Sequence, residues 1–157
     1  VFQTEPLPEA LEVTGELEVE LWISSTAPDT DFTAKLIDVY PSSADYPDGF
    51  DLIIGDGIIR TRFRESLTEE VFMEPGAVYP VRITLYPTSN VFKKGHRIRL
   101  DISSSNFPRF DLNPNTGEPL NQNRRVQAAV NSVEHNAAHS SRIWLPIVPP
   151  DAAKPAD

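Results

Sequence analysis

Short runs of strict two-residue alternation, each cut off by proline or turn residues, set the terms for how this chain can fold. In the run LEVELWIS, residues 17–24, the apolar Leu17, Val19, Leu21 and Ile23 alternate with Glu18, Glu20 and Trp22. Farther along, Ile98, Leu100 and Ile102 alternate with Arg97, Arg99 and Asp101. Successive side chains of an extended strand point to opposite faces, so each run predicts a strand with one wet and one buried face. The chain also carries 15 prolines. Proline lacks an amide hydrogen and fits neither helix interiors nor central strands, so loops and strand edges must be abundant.

The same reading predicts further strands at residues 32–40, 78–86, 126–133 and 142–148. Residues 50–54 and 58–63 flank Gly55-Asp56-Gly57, which predicts a hairpin, with Arg60, Arg62 and Arg64 on one face of its second strand. The run Thr26-Ala-Pro-Asp-Thr-Asp31 is turn chemistry, and Asp45, Asp48, Asp51 and Asp56 read as turn formers. No amphipathic helix is evident, and residues 65–73 would make at most a short helical turn. Eight or nine short strands without helices predict an all-β sandwich or jelly roll. A single domain spans residues 1–148 in this reading. Residues 149–157, rich in Pro, Ala and charge, read as a disordered tail.

Bulk properties exclude several function classes. The net charge is −9, which opposes binding to nucleic acid or to an anionic membrane surface. No apolar run approaches the roughly 18 residues of a membrane span. There is no cysteine, so disulfides, thiolate metal sites and cysteine nucleophiles are ruled out, and a reducing compartment such as the cytoplasm is favoured. The first residue is Val1, and the chain reads as a fragment or a processed product.

The search for chemistry is largely negative. A nucleophile elbow needs Gly-x-Ser-x-Gly, and none of the seven glycines has a serine two residues later. Ser103, Ser104 and Ser105 therefore read as strand-end structure. His135 and His139 have the spacing of two zinc ligands on a helix, but Asn136 follows the first where a metalloprotease helix carries Glu. Asp111, Asn113, Asn115 and Gly117 resemble a calcium loop, yet Thr116 and Gln122 occupy its glycine and terminal glutamate positions. An Asx-type turn suits them better. No metal site, cofactor or catalytic residue is assigned. Trp22 and Trp144 could form the stacking platform of a carbohydrate-binding module, which stands as the alternative function.

Residues 88–117, TSNVFKKGHRIRLDISSSNFPRFDLNPNTG, end in a loop longer and more decorated than a connector needs. Together with residues 11–15, 24–41, 56–62 and 141–147, they resemble the C-terminal β domain of the X-prolyl dipeptidyl peptidase, cocaine esterase and glutaryl acylase group of serine hydrolases. The resemblance covers nearly the whole of residues 1–148. There are departures: Ser-Ser-Ala-Asp-Tyr follows Pro41, and Leu112 stands where that family often has arginine. The resemblance implies a jelly-roll sandwich similar to galactose-binding-like domains. It also implies an upstream α/β-hydrolase domain in the same polypeptide carrying the whole Ser-Asp-His triad, and contacts between copies in an oligomer. Asn106, Phe107, Pro108, Arg109, Phe110 and Asp111 are the predicted contact with that catalytic domain, since aromatics and arginine are enriched at such surfaces. A loop that packs on its own domain is the competing reading.

Overall fold

The computed structural model describes residues 1–149. Among the described residues nine strands are present: β1 (Phe2–Gln3), β2 (Leu11–Ser25), β3 (Asp31–Tyr40), β4 (Phe50–Arg60), β5 (Tyr79–Phe92), β6 (Arg97–Ser103), β7 (Asn131–Glu134), β8 (Arg142–Trp144) and β9 (Ile147–Val148). They form two antiparallel sheets. One has the order β1-β6-β3-β4. In the other, β2 pairs with β5 along one side and with β7, β8 and β9 in turn along the other. The chain passes between sheets at most connections, which gives the expected all-β sandwich. The run predicted as the tail, residues 149–157, lies outside the described residues from Pro150 onward.

The alternation builds the core directly. Val13, Leu17, Val19, Leu21 and Ile23 of β2 face Phe32, Ala34 and Leu36 of β3 and Ile98 and Leu100 of β6, all buried. In β5 the inward positions are Val81, Ile83 and Leu85, and then Phe92. The change from odd to even positions follows from an extra residue in β5, where Gly15 and Leu17 of β2 face Thr88 and Leu85. A bulge of this kind resets which side chains face inward.

Three local expectations fail. Residues 50–60 are one continuous strand, not a hairpin, paired with β3 from Phe50–Tyr40 to Arg60–Asp31. The glycines serve a close approach instead of a turn. A Cβ on Gly57 would lie 2.5 Å from the Thr84 carbonyl oxygen of β5, so β4 can lie against β5 only where side chains are missing. Beyond Arg60 the strand gives way to one 3₁₀ turn, Thr61–Phe63, which breaks the alternation expected of Arg60, Arg62 and Arg64. Residues 65–73 contain no helical turn. Residues 126–130 are not strand either: Val126 and Val130 are exposed, and only residues 131–134 pair with β2.

A candidate docking loop and the charge cluster beneath it

Residues 104–130, between β6 and β7, bond to the start of β3, to β4 and to the turn that follows it. The loop starts in local hydroxyl bonds. Ser105 N donates to Ser103 Oγ at 3.4 Å and Phe107 N to Ser105 Oγ at 3.2 Å. Ser104 Oγ accepts from Asn131 Nδ2 at 2.8 Å, tying the two ends of the loop together. These serines organise turns, as hydroxyls near strand ends commonly do. A buried histidine–acid pair exists elsewhere: His96 Nδ1 lies 2.8 Å from Asp38 Oδ1. It precedes β6 while Ser103 ends it, a separation of roughly 23 Å at the usual rise per strand residue. No serine–histidine relay connects them.

The six predicted contact residues divide by role. Asn106 Nδ2 donates to Asp56 Oδ2 at 2.8 Å, and Arg109 Nη1 lies 3.2 Å from Asp56 Oδ1. The Arg109 guanidinium also sits over the Tyr86 ring at 5.5 Å and the Phe110 ring at 5.8 Å. Phe110 is half-buried and helps line a cleft of about 390 Å³ with Asp56, Gly57, Ile58, Thr84 and Tyr86. Asp111 gives its backbone carbonyl to Arg60 Nη2 at 3.4 Å, leaving its side chain exposed. Phe107 is 65% exposed and Pro108 is exposed as well. Asn106 and Arg109 are therefore anchors, and Phe107 is presented to the outside. Asp56, expected in a turn, instead lies in β4 and takes both anchors; Asp51 is also a strand residue, ion-paired with Arg99 at 2.8 Å.

The rest of the loop rests on a buried cluster that local sequence reading missed. Asp29, wholly buried, accepts from Arg62 Nε at 2.8 Å, Arg62 N at 2.9 Å, Thr61 Oγ1 at 3.1 Å and Asn113 Nδ2 at 2.9 Å. Asp31 takes a two-pronged bond from Arg60 at 2.9 and 3.0 Å and a third from Asn113 Nδ2 at 2.8 Å. The bond to Asp31 is the main cause holding the Arg60 guanidinium above its ordinary pKa. Arg62, 2% exposed, turns its other nitrogens to the Glu118 carbonyl at 3.1 Å and to Glu70 Oε1 at 3.2 Å. Burying charge is costly unless it is paired and fully hydrogen-bonded, and here both conditions are met. Asn113 Oδ1 accepts from Asn115 N at 2.9 Å, the Asx turn expected of this run. Its amide donates into the two aspartates, the opposite polarity to a calcium ligand. The clue in the sequence was the every-second-residue spacing of Asp29 and Asp31, at the end of the turn run, and of Arg60, Arg62 and Arg64.

The remaining candidates disperse. His135 meets Phe2 edge-on at 5.8 Å and His139 packs on Trp22 at 4.8 Å, so the pair does not converge. Trp22 and Trp144 share the outer face of the β2 sheet. His139 covers one, and Arg142, bonded to Glu20 at 2.7 Å, lies over the other at 4.8 Å. These contacts cover part of each ring, and Trp144 stays 42% exposed.

The chain matches the family model of the X-Pro dipeptidyl-peptidase C-terminal non-catalytic domain over residues 1–143. It belongs to that family. Among curated proteins it is 45% identical over 149 residues to the cocaine esterase of Rhodococcus sp. (strain MB1 Bresler), covering 94% of this chain and 25% of that protein. Among solved structures it resembles an alpha-amino acid ester hydrolase with a TM-score of 0.88 at 33% identity, covering 94% of this chain and 25% of that one. An aminopeptidase from a marine sediment archaeon, Thaumarchaeota archaeon, also superposes with a TM-score of 0.88 at 32% identity, with the same coverage. The chain thus spans about a quarter of the length of these relatives. The non-catalytic description of the family agrees with the structural contacts made by Ser103, Ser104 and Ser105 and by His96, His135 and His139.

Proposed function

We propose that residues 1–148 form one accessory domain of a serine hydrolase, and that an α/β-hydrolase domain in the same polypeptide carries the nucleophile and its triad. The parent enzyme cleaves esters, amides or X-Pro peptides through an acyl-enzyme. This domain packs on the catalytic domain, helps wall its substrate cleft and contributes contacts between copies. The observation that carries the docking assignment is the contrast within residues 106–111. Asn106 and Arg109 fasten the loop to Asp56, while Phe107 stays 65% exposed, and Leu112 of the same loop is 61% exposed. A fastened loop that displays large apolar side chains has already met the ordering cost that a mobile one would incur on docking. Aromatic anchors of this kind supply the larger energies at protein contacts.

The test is Phe107→Ala in the full-length enzyme. The expected result is a loss of about 1–3 kcal/mol in domain association, the range for an aromatic contact anchor, read as a lower inactivation temperature and reduced kcat/KM. Unchanged activity, stability and assembly would sink the docking role of this loop.

A further inference from the structure

The two longest connections of the domain, residues 61–78 between β4 and β5 and residues 104–130 between β6 and β7, stand side by side at one end of the sandwich. Arg62 joins them: its Nη1 lies 3.2 Å from Glu70 Oε1 of the first and 3.1 Å from the Glu118 carbonyl of the second. Phe72 of the first lies against Gly117 of the second, where an added Cβ would come within 3.3 Å of its ring. Both also bond to the turn between β2 and β3. Met73 N donates to the Pro28 carbonyl at 2.9 Å and Val130 N to Thr26 Oγ1 at 3.0 Å.

Apart from Val1 and Tyr86, every large apolar side chain among the described residues that is 61% exposed or more lies on these connections: Leu67, Phe107, Leu112, Val126 and Val130. Loop tips ordinarily carry turn-forming polar residues. The opposite end of the sandwich follows that rule, with Asp45, Asp48, Lys93 and Lys94 all exposed. Leu67 and Val126, 85% and 87% exposed, are not borne by slack chain. Val71 N donates to the Arg62 carbonyl at 2.8 Å, and the Val71 carbonyl accepts from Arg64, whose guanidinium lies over the Tyr79 ring at 4.4 Å. Residues 62–71 thus close on themselves. At their apex Ser66 Oγ accepts from Thr68 N at 3.2 Å and Glu69 N at 3.3 Å, which fixes the backbone around Leu67. Val126 is held on both sides. Arg125 N donates to Glu118 Oε2 at 3.3 Å, Gln127 N to the Pro114 carbonyl at 2.9 Å, and the Gln127 carbonyl accepts from Asn115 Nδ2 at 2.9 Å. Apolar side chains gathered on bonded supports mark a contact surface.

We infer that Leu67 and Val126 continue the face that Phe107 begins, and that the catalytic domain of the same polypeptide docks on all three. The inference rests on the docking reading of residues 106–111 and extends it across residues 112–130 to a second connection, residues 62–73. The occupant follows from continuity and from length. Leu112 and Val126 belong to the loop that carries Phe107, and Arg62 ties the Leu67 connection to that loop. A stable contact engages about 20–30 residues of each partner, far more than residues 106–111 supply, so a body seated on Phe107 reaches its neighbours. The family is a C-terminal non-catalytic domain, and this chain spans about a quarter of its relatives. The larger part of such a polypeptide is available beside it. The receiving surface is apolar, since aliphatic side chains gain by leaving water for an apolar environment.

The experiment introduces Leu67→Cys, Val126→Cys, Phe107→Cys or the control Asp45→Cys singly into the full-length protein with other cysteines removed. Each replaces an exposed side chain, so folding is retained. Maleimide labelling is measured relative to the same variant unfolded in denaturant. Leu67→Cys and Val126→Cys are expected to label at least ~10-fold more slowly than Asp45→Cys, as for sites that react only on local opening. Labelling at either as fast as the control would overturn the inference. Protection that disappears on dilution would assign the face to a second copy and overturn it as well. Phe107→Cys separates the two readings. Protection there with Leu67→Cys and Val126→Cys open overturns the extended face alone. Phe107→Cys open with those two protected overturns the docking of residues 106–111 alone, and all three open overturns both.

Discussion

Residues 106–111 and residues 113–118 belong to the same loop and are held in opposite ways. The first stretch is fastened at two points to one carboxylate, Asp56, and leaves Phe107 and the Asp111 side chain in solvent. In the second, Asn113 and the Glu118 carbonyl meet charged groups that are wholly or almost wholly buried, Asp29, Asp31 and Arg62. The difference separates residues that serve the domain from residues offered to a partner. Buried charges with complete hydrogen bonding are committed to the fold, because no solvent can replace a lost bond. Exposed aromatics on a fastened support contribute little to the domain alone, and so are free to act at a contact.

The strongest way to break this division is Arg62→Ala. It strands the buried Asp29 carboxylate and releases the Glu118 carbonyl. Removing one partner of a buried pair costs about 3–5 kcal/mol, expected here as a fall in the unfolding midpoint of about 10 °C at the usual conversion for this size. A midpoint within a degree or two of the parent would show that the cluster is not structural. Asn113→Ala is a smaller lesion, expected to cost about 1–2 kcal/mol, since each aspartate keeps its arginine but loses one donor. Amide exchange should rise across residues 113–118 more than across residues 106–111. Uniform loosening would mean that the two stretches are one unit.

The third effect is acid-dependent. Glu118 is held below its ordinary pKa of 4.5, first by the Arg124 backbone amide and then by the Arg125 side chain, Thr116 and the Arg125 amide. A depressed carboxylate stabilises the folded state above the unfolded pKa, and that contribution is lost as pH falls through the folded value. Lowering the pH from about 5 to 3 should therefore reduce the protection of the Arg124 and Arg125 amides, measured as exchange relative to the intrinsic rate at each pH, by a modest factor because the arginines it holds are solvent-exposed. Glu118→Gln should abolish the pH dependence. The smallest effect is Phe107→Ala in this domain alone, expected within about ±0.5 kcal/mol in a denaturant titration, as for other surface positions. Together with a marked loss in the full-length enzyme, that near-silence would sharpen the contrast between the two stretches. A large loss in the domain alone would assign Phe107 to the fold.

How far the molecule was legible depended on the range of the forces involved. The core strands β2, β3 and β6 could be read because a two-residue period is a local property, visible wherever one face is buried. β4 was misread because Gly55-Asp56-Gly57 has the composition of a turn, and only the approach of β5, with Thr84 O 2.5 Å from where a Gly57 Cβ would sit, shows what those glycines are for. Val126 and Val130 looked like strand, yet β2 offers its edge to residues 131–134 and leaves them outside. The Asp29–Arg62 pair joins positions 33 residues apart, so no window of sequence contains both.

The amino-acid sequence by itself therefore determined the all-β class, the inward faces of the main strands, the lack of a nucleophile elbow and the family. All of these are written in local periodicity or in motifs of contiguous residues. The tertiary structure decided which charges are buried, that Asn106 and Arg109 are anchors while Phe107 is displayed, and which exposed apolar side chains gather at one end of the sandwich. Each of those depends on which strand edge or carboxylate lies opposite, and that is settled only when segments distant in the chain pack together.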